Sequence, residues 1–260
     1  MRKTDLKSYK SLVEDRLDSI LPPAGMEPRI LHRAMRYSVF SGGKRLRPII
    51  MLVSGRIFGV KEEELLPAAC GIELIHNFSL IHDDLPAMDN DDYRRGRLTC
   101  HKRFSEPVAI LAGDALLALG FEAIAECGNP GLIKAVAAAI GSQGMAGGQA
   151  LDIAFKDKPL SDRMKKAIDG KKTGRLFQLC FTAPLFFGKA AAGDRRRITD
   201  IAGDFGMAFQ IRDDIEDNEG DTADLKRKLD ILSESLERNI AYFGSRGLFL
   251  SEIVDRLYGN

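Results

Sequence analysis

Tryptophan is absent from this 260-residue chain, and cysteine and histidine occur only four times each. Cys70, Cys100, Cys127 and Cys180 lie far apart, with no C-x-x-C pair and no histidine spacing that suggests zinc. Reduced thiols in a cytoplasmic protein are the expectation. An excess of one charge is also absent. Lys and Arg number 38 against 37 Asp and Glu, so no overall field favours nucleic acid or an anionic membrane. No apolar run of about 18 residues, free of charge and glycine, suggests insertion into a membrane. The N-terminal "MRKTDLKSYKSLVEDRLDSI" carries charges every few residues, unlike the apolar core of a signal peptide. Strand signals are sparse, with no sustained alternation and no Asn-Gly or Asp-Gly turn between β-branched runs. Nothing resembles a nucleophile–histidine–acid triad.

What the chain does have is helical periodicity. Leu6, Tyr9, Leu12, Val13, Leu17, Ile20 and Leu21 recur at spacings of three and four, and "PPAG" then stops the pattern. Further helices are expected at about 28–40, 47–58, 64–84, 107–127, 129–155, 161–186, 195–218 and 224–257. Several are apolar nearly all round, as in "AVAAAIGSQGMAGGQALDIAF", which places them at the centre of a bundle. No internal repeat or low-complexity linker appears, so residues 1–260 read as one all-α domain.

Two acidic runs interrupt this pattern. In "LIHDDLPAMDNDDYRRG", residues 80–96, five aspartates sit beside Arg94 and Arg95. Apolar "IELIHNFSLIH" leads into Asp83 and Asp84, and Pro86 then ends the helix so that Asp89 can curl back. In "FQIRDDIEDNEGD", residues 209–221, Asp213 and Asp217 are one helical turn apart with Asp214 beside them. A solvated face explains either run alone. Two core helices that each end in paired carboxylates point instead to a divalent-metal site, and oxygen ligands favour Mg²⁺ over zinc. Calcium loops fail. A loop starting at Asp89 puts Arg94 at the glycine position, and one starting at Asp214 puts Gly220 one place late.

Mg²⁺ held by few carboxylates usually shares a phosphate-bearing substrate, and the basic residues suit one. "SGGKRLRP" offers Lys44, Arg45 and Arg47, "YRRG" offers Arg94 and Arg95, and "GKKTGR" offers Lys171, Lys172 and Arg175 near Thr173. The first is not a nucleotide P-loop, because the leading glycine of that motif is missing.

Taken in order, "GGKRLRP", "HNFSLIHDDLPAMDNDDYRRGRLTCHKRF", "LAGDALL", "GGQALDI", "KKTGRLF" and "FQIRDDIED" resemble the trans-isoprenyl diphosphate synthases, from about residue 28 to 220. The resemblance implies a helical bundle of the isoprenoid synthase type around a deep central cavity, usually in a homodimer. It implies Mg²⁺, three ions per site, bound by Asp83, Asp89 and Asp213, with Asp84, Asp214 and Asp217 in support. Arg94, Lys172, Thr173 and Gln210 would hold an allylic diphosphate, and Lys44, Arg47, His76 and Arg95 would hold isopentenyl diphosphate. Phe78, with Ser79 beside it, stands five residues before Asp83, as in bacterial farnesyl diphosphate synthases. A ring there would floor the cavity at a fifteen-carbon product; a twenty-carbon product is the alternative, because neighbouring helices also shape the floor.

The match breaks after "DDIEDNEGDTADL". The family continues with a loop holding a Gly-Lys pair, a further Asp and a Lys-x-Thr-Tyr-Pro segment, whereas this chain passes directly to "KRKLDILSESLERNIAYFG". Lys226 and Lys228 are the nearby candidates for the missing lysine. Two other readings follow: a non-catalytic partner subunit, against which both intact aspartate motifs argue, and a terpene cyclase, which would leave "GGKRLRP" and His76 without purpose.

Overall fold

A computed structural model describes residues 6–155, 158, 161–216 and 221–258. The described residues are helical almost throughout, as the periodicity requires, and their contacts divide into two compact units.

The first unit comprises residues up to Leu52 together with Glu63–Gly128. Helix α1 (Leu6–Ile20) buries Tyr9, Val13 and Leu17 completely, the three residues its spacing sets on one face. Helix α2 (Arg29–Val39) follows, then α3 (Leu46–Ile57) and α4 (Glu62–Asp83). Most of α4 is buried on all sides, including Ile72, Leu74 and Ile75. It therefore carries little amphipathic signal, as expected of a core helix. Beyond it, Tyr93–Arg94 and Arg97–Leu98 form a two-residue antiparallel ladder, β1 and β2. The sequence gives no sign of this hairpin by the Asn-Gly rule. Its turn is Arg95–Gly96, with φ of +53° and +73°, the left-handed pair a type I′ turn needs. The short α5 (Cys100–Arg103) and the long α6 (Glu106–Ala125) complete the unit and pack with α2. The Ser105 side chain accepts from the Val108 amide and caps the start of α6. By length and composition alone α6 is apolar enough to cross a membrane. Here Ala109, Ala112, Leu116, Ala123 and Ile124 bury one of its faces in protein, and Gly113, Asp114 and Gly120 interrupt its apolar run.

The second unit comprises Val53–Glu62 and residues from Asn129 onward. The helix expected over 129–155 is two helices, α7 (Pro130–Ile140) and α8 (Met145–Phe155), separated by the "GSQG" turn. The segment expected at 161–186 is likewise composite. Helix α9 (Asp162–Asp169) runs into a single wide π turn at Gly170–Gly174, then α10 (Arg175–Thr182) and a 3₁₀ turn at Ala183–Phe186. Phe177 and Phe181 of α10 pack edge to face against Phe205 of α11 (Ala192–Glu216), all three fully buried. Asp221 caps α12 (Thr222–Ala241) by accepting from the Ala223 amide. A 3₁₀ turn at Gly244–Gly247 separates α12 from α13 (Leu248–Tyr258), where one helix was expected. Apolar residues continue on both sides of each break, so the pattern gives no sign of where one helix stops and the next begins. All four cysteines are free.

Candidate functional site

In the first unit the predicted residues gather around the end of α4. Asp83 closes the helix, and the chain then turns back so that the Asp89 amide donates to the Asp83 carbonyl at 2.9 Å. Asn90, at φ +56°, and the Asn90 N–H to Leu85 carbonyl bond complete this turn, placing Asp89 on the exposed side. Asp84 points the other way and is only 3% exposed. Burial pushes its carboxyl up, and the Arg94 guanidinium opposes that shift from Nε at 2.7 Å and Nη2 at 2.6 Å. Asp84 is thus engaged by Arg94, and Asp89 is exposed.

The basic loop between α2 and α3 is held from beneath. Arg45, 2% exposed with φ +53°, donates to Glu73 at 3.0 Å and to the Val39 carbonyl at 2.6 Å. Its neighbour Lys44 is exposed. Arg47 Nη1 lies 3.1 Å from His76 Nε2. Burial holds His76 well below the ordinary histidine range, and the positive charges of Arg47, Arg95, Arg94 and Arg45 push the same way. The imidazole is therefore neutral, and its Nε2 accepts from Arg47. Arg95 donates to the Gly42 carbonyl, tying the hairpin to the basic loop. Arg47, His76, Arg94 and Arg95 are brought together, with Lys44 on the adjoining loop. Ser79 is buried and donates to the His76 carbonyl at 2.9 Å, while Phe78 is half-buried.

In the second unit a cavity of about 250 Å³ is lined by Asp152, Asp169, Lys172, Thr173, Gln210, Asp213 and Glu216. Lys172, Thr173, Gln210 and Asp213 are sequence-predicted; Asp152, Asp169 and Glu216 are not. Asp152 sits in the "GGQALDI" run, four residues after Gly148. That glycine admits the Lys172 backbone, since a Cβ there would stand 2.5 Å from the Lys172 nitrogen. Lys172 Nζ pairs with Asp152 Oδ2 at 2.7 Å. Asp214 lies beside the cavity, accepting from Gln210 Nε2 at 3.1 Å and 3.6 Å from Lys165 Nζ. Asp217 lies outside the described residues. Asp169 has no signal in the sequence, because only the fold brings the end of α9 against α11. Its carboxyl is pushed up to about 6, first by burial and then by the negative charge of Asp214.

This crowding tests the fit of a divalent cation. Asp152, Asp169, Asp213 and Glu216 are oxygen donors around one cavity, and the charges of Asp214 and Asp152 add to the burial that raises Asp169. A hard cation suits such a donor set. Among the described residues, no three carboxylate, histidine or cysteine side chains converge on one point closely enough to hold a metal by themselves. That accords with a cation completed by the oxygens of a bound ligand.

Comparison with known proteins gives a consistent answer. The polyprenyl synthetase family model matches residues 28–236. The chain is 45% identical over 201 residues to a farnesyl diphosphate synthase of Geobacillus stearothermophilus, covering 74% of this chain and 68% of that protein. It is 37% identical to a geranylgeranyl diphosphate synthase of Cyanophora paradoxa, over 97% of this chain and 94% of the relative. That alignment is 286 positions long, longer than this chain, so the relative carries internal residues that this chain lacks. Among solved structures, a geranyltransferase from Legionella pneumophila superposes with a TM-score of 0.91 at 31% identity, covering 97% of this chain and 95% of that one.

Proposed function

The chain belongs to the polyprenyl synthetase family, and from that premise we propose that it condenses isopentenyl diphosphate with dimethylallyl or geranyl diphosphate, giving farnesyl diphosphate. The observation that carries this reading is the second-unit cavity where Lys172, Thr173, Gln210 and Asp213 meet. It combines a fixed cation, two neutral hydrogen-bonding groups and carboxylates, the set needed to hold a diphosphate together with its counter-ions.

In this reading residues 1–260 act as one domain, and Asp83, Asp89 and Asp213 would hold Mg²⁺. Mg²⁺, three ions at full occupancy, supplies charge neutralisation to the departing diphosphate when bound. This chain's own residues do the rest. Lys172 and Arg94 place positive charge where negative charge develops, and Thr173 and Gln210 orient the group by hydrogen bonds. As the allylic carbon–oxygen bond breaks, the electron pair leaves with the diphosphate and a carbocation remains. The double bond of isopentenyl diphosphate attacks that carbon, and a proton then leaves to the departed diphosphate. Lys44, Arg47, His76 and Arg95 hold the second diphosphate. The neutral His76 suits this role, since it contributes a hydrogen bond to the guanidinium cluster without adding to its repulsion. The apolar core around α4 keeps water from the cation.

Phe78, half-buried near the end of α4, would stop chain growth at fifteen carbons. The similarity to a geranylgeranyl diphosphate synthase over nearly the whole chain favours twenty carbons as the second reading. A homodimer in the cytoplasm completes the proposal. Product analysis tests it: purified protein, Mg²⁺, labelled isopentenyl diphosphate and geranyl diphosphate should yield a fifteen-carbon diphosphate. A twenty-carbon product would move the floor and keep the chemistry. No product, with diphosphate still bound, would overturn the activity and favour a partner subunit lacking a loop its relatives carry.

A further inference from the structure

Phe78 and His82 stand one turn apart near the end of α4, and their rings meet edge to face. The centroids are 4.8 Å apart and the planes cross at 72°. His82 is anchored in turn by a different helix. Its Nε2 lies 3.1 Å from the Ile110 carbonyl oxygen and 3.8 Å from Asp114 Oδ1, both on α6. Between these two residues lies Gly113, and the imidazole rests on it. A Cβ at that position would come within 2.5 Å of His82 Cδ2 and nearer still to Nε2. Ile110, Gly113 and Asp114 share one face of α6 by their three- and four-residue spacing, and together they form a socket for one ring. Glycine is a poor choice for a helix interior. The space the imidazole needs explains why one stands here.

We infer that His82, seated on Gly113, is a positioning residue for product length, holding the Phe78 ring in the orientation that stops chain growth. The inference rests on the reading of Phe78 as the floor. A phenylalanine on a helix has two favoured side-chain orientations. An edge-to-face partner one turn later selects between them, because such pairs prefer a defined geometry. Since the His82 ring is fixed by the α6 backbone and by the absence of a side chain at Gly113, the ring it contacts is fixed as well. A floor that can swing yields to a growing chain; a floor that is clamped does not.

The test is the molar ratio of twenty-carbon to fifteen-carbon product from geranyl and isopentenyl diphosphates. It is measured on the full-length protein and on Phe78→Ala, His82→Ala, Gly113→Ala and the Phe78→Ala/His82→Ala pair. His82→Ala and Gly113→Ala should each raise the ratio by roughly two- to tenfold, the factor one aromatic pair corresponds to. The double variant should match Phe78→Ala alone, because no ring remains to be positioned. A ratio left unchanged by His82→Ala while Phe78→Ala lengthens the product overturns the His82 role and leaves the floor standing. Additive effects in the double variant do the same. A Phe78→Ala enzyme with unchanged product overturns the floor, and this inference falls with it. Should Gly113→Ala fail to fold, His82→Ala and the double variant decide the matter.

Discussion

Two nitrogens of Arg94, Nε and Nη2, converge on a single oxygen of Asp84, Oδ1, rather than meeting the carboxylate fork to fork. Asp84 is almost wholly buried, so the pair anchors the β1–β2 hairpin against the end of α4. Removing one partner of a buried ion pair leaves an uncompensated charge and is costly. Arg94→Ala should therefore lower unfolding stability by about 2–4 kcal/mol, read from urea denaturation. Arg94→Leu combined with Asp84→Leu should recover much of that stability without recovering turnover. If the single variant unfolds like the parent, Asp84 is not held by this pair.

His76 gives an acid-sensitive component of stability. Its folded pKa is depressed, so below the unfolded value of about 6.5 the unfolded chain binds a proton that the folded chain refuses. Stability is thus lost as pH falls below about 6.5, with a limiting slope of about 1.4 kcal/mol per pH unit for this one proton. His76→Gln should flatten the curve of unfolding free energy between pH 7 and 5. A curve of the same slope would show the imidazole to be protonated in the folded state.

Asp169 has the opposite sign. Its folded pKa, about 6, lies above that of a free aspartate. The folded state therefore binds the extra proton, and stability present at low pH is lost as pH rises through 6. Asp169→Asn removes that loss and should raise Tm by about 2–4 °C at pH 7.5, the shift about 1 kcal/mol produces in a chain of this size. At pH 5 the gain should shrink. An equal gain at both pH values would assign the effect to packing.

Asp83→Ala and Asp213→Ala should each lower kcat by about a thousandfold or more, with far-UV circular dichroism unchanged. Chelation of Mg²⁺ should abolish turnover of the parent, and readdition should restore it. Near-normal turnover in either variant would remove that residue from the ion-binding set.

Part of the fold and of the grouping of site residues is legible in the sequence. Tyr9, Val13 and Leu17 are fully buried where three-four spacing puts them, and Lys172, Thr173, Gln210 and Asp213 share a cavity. What the sequence hid has physical causes. The breaks at 141–144 and 244–247 fall between segments that are apolar on both sides, so no change of pattern marks them. The Arg95–Gly96 turn uses an arginine where pattern rules expect asparagine or aspartate. Asp152, Asp169 and Glu216 come from three separate helices, and only tertiary packing brings their carboxylates to one cavity. Phe78 is legible through the family resemblance, but the seating of His82 on Gly113 is not, because an absent side chain leaves no pattern.

The π turn at Gly170–Gly174 holds one residue more than an ordinary helical turn. Such a turn behaves as a gear tooth. With it present, Leu176, Phe177 and Cys180 mesh with the core while Lys172 and Thr173 stand at the cavity. Forcing all five residues into regular α-helical geometry would rotate everything on one side of the turn by about 100° relative to the other. Core and cavity could then no longer both be satisfied, so the extra residue of the turn is what lets both faces be met at once.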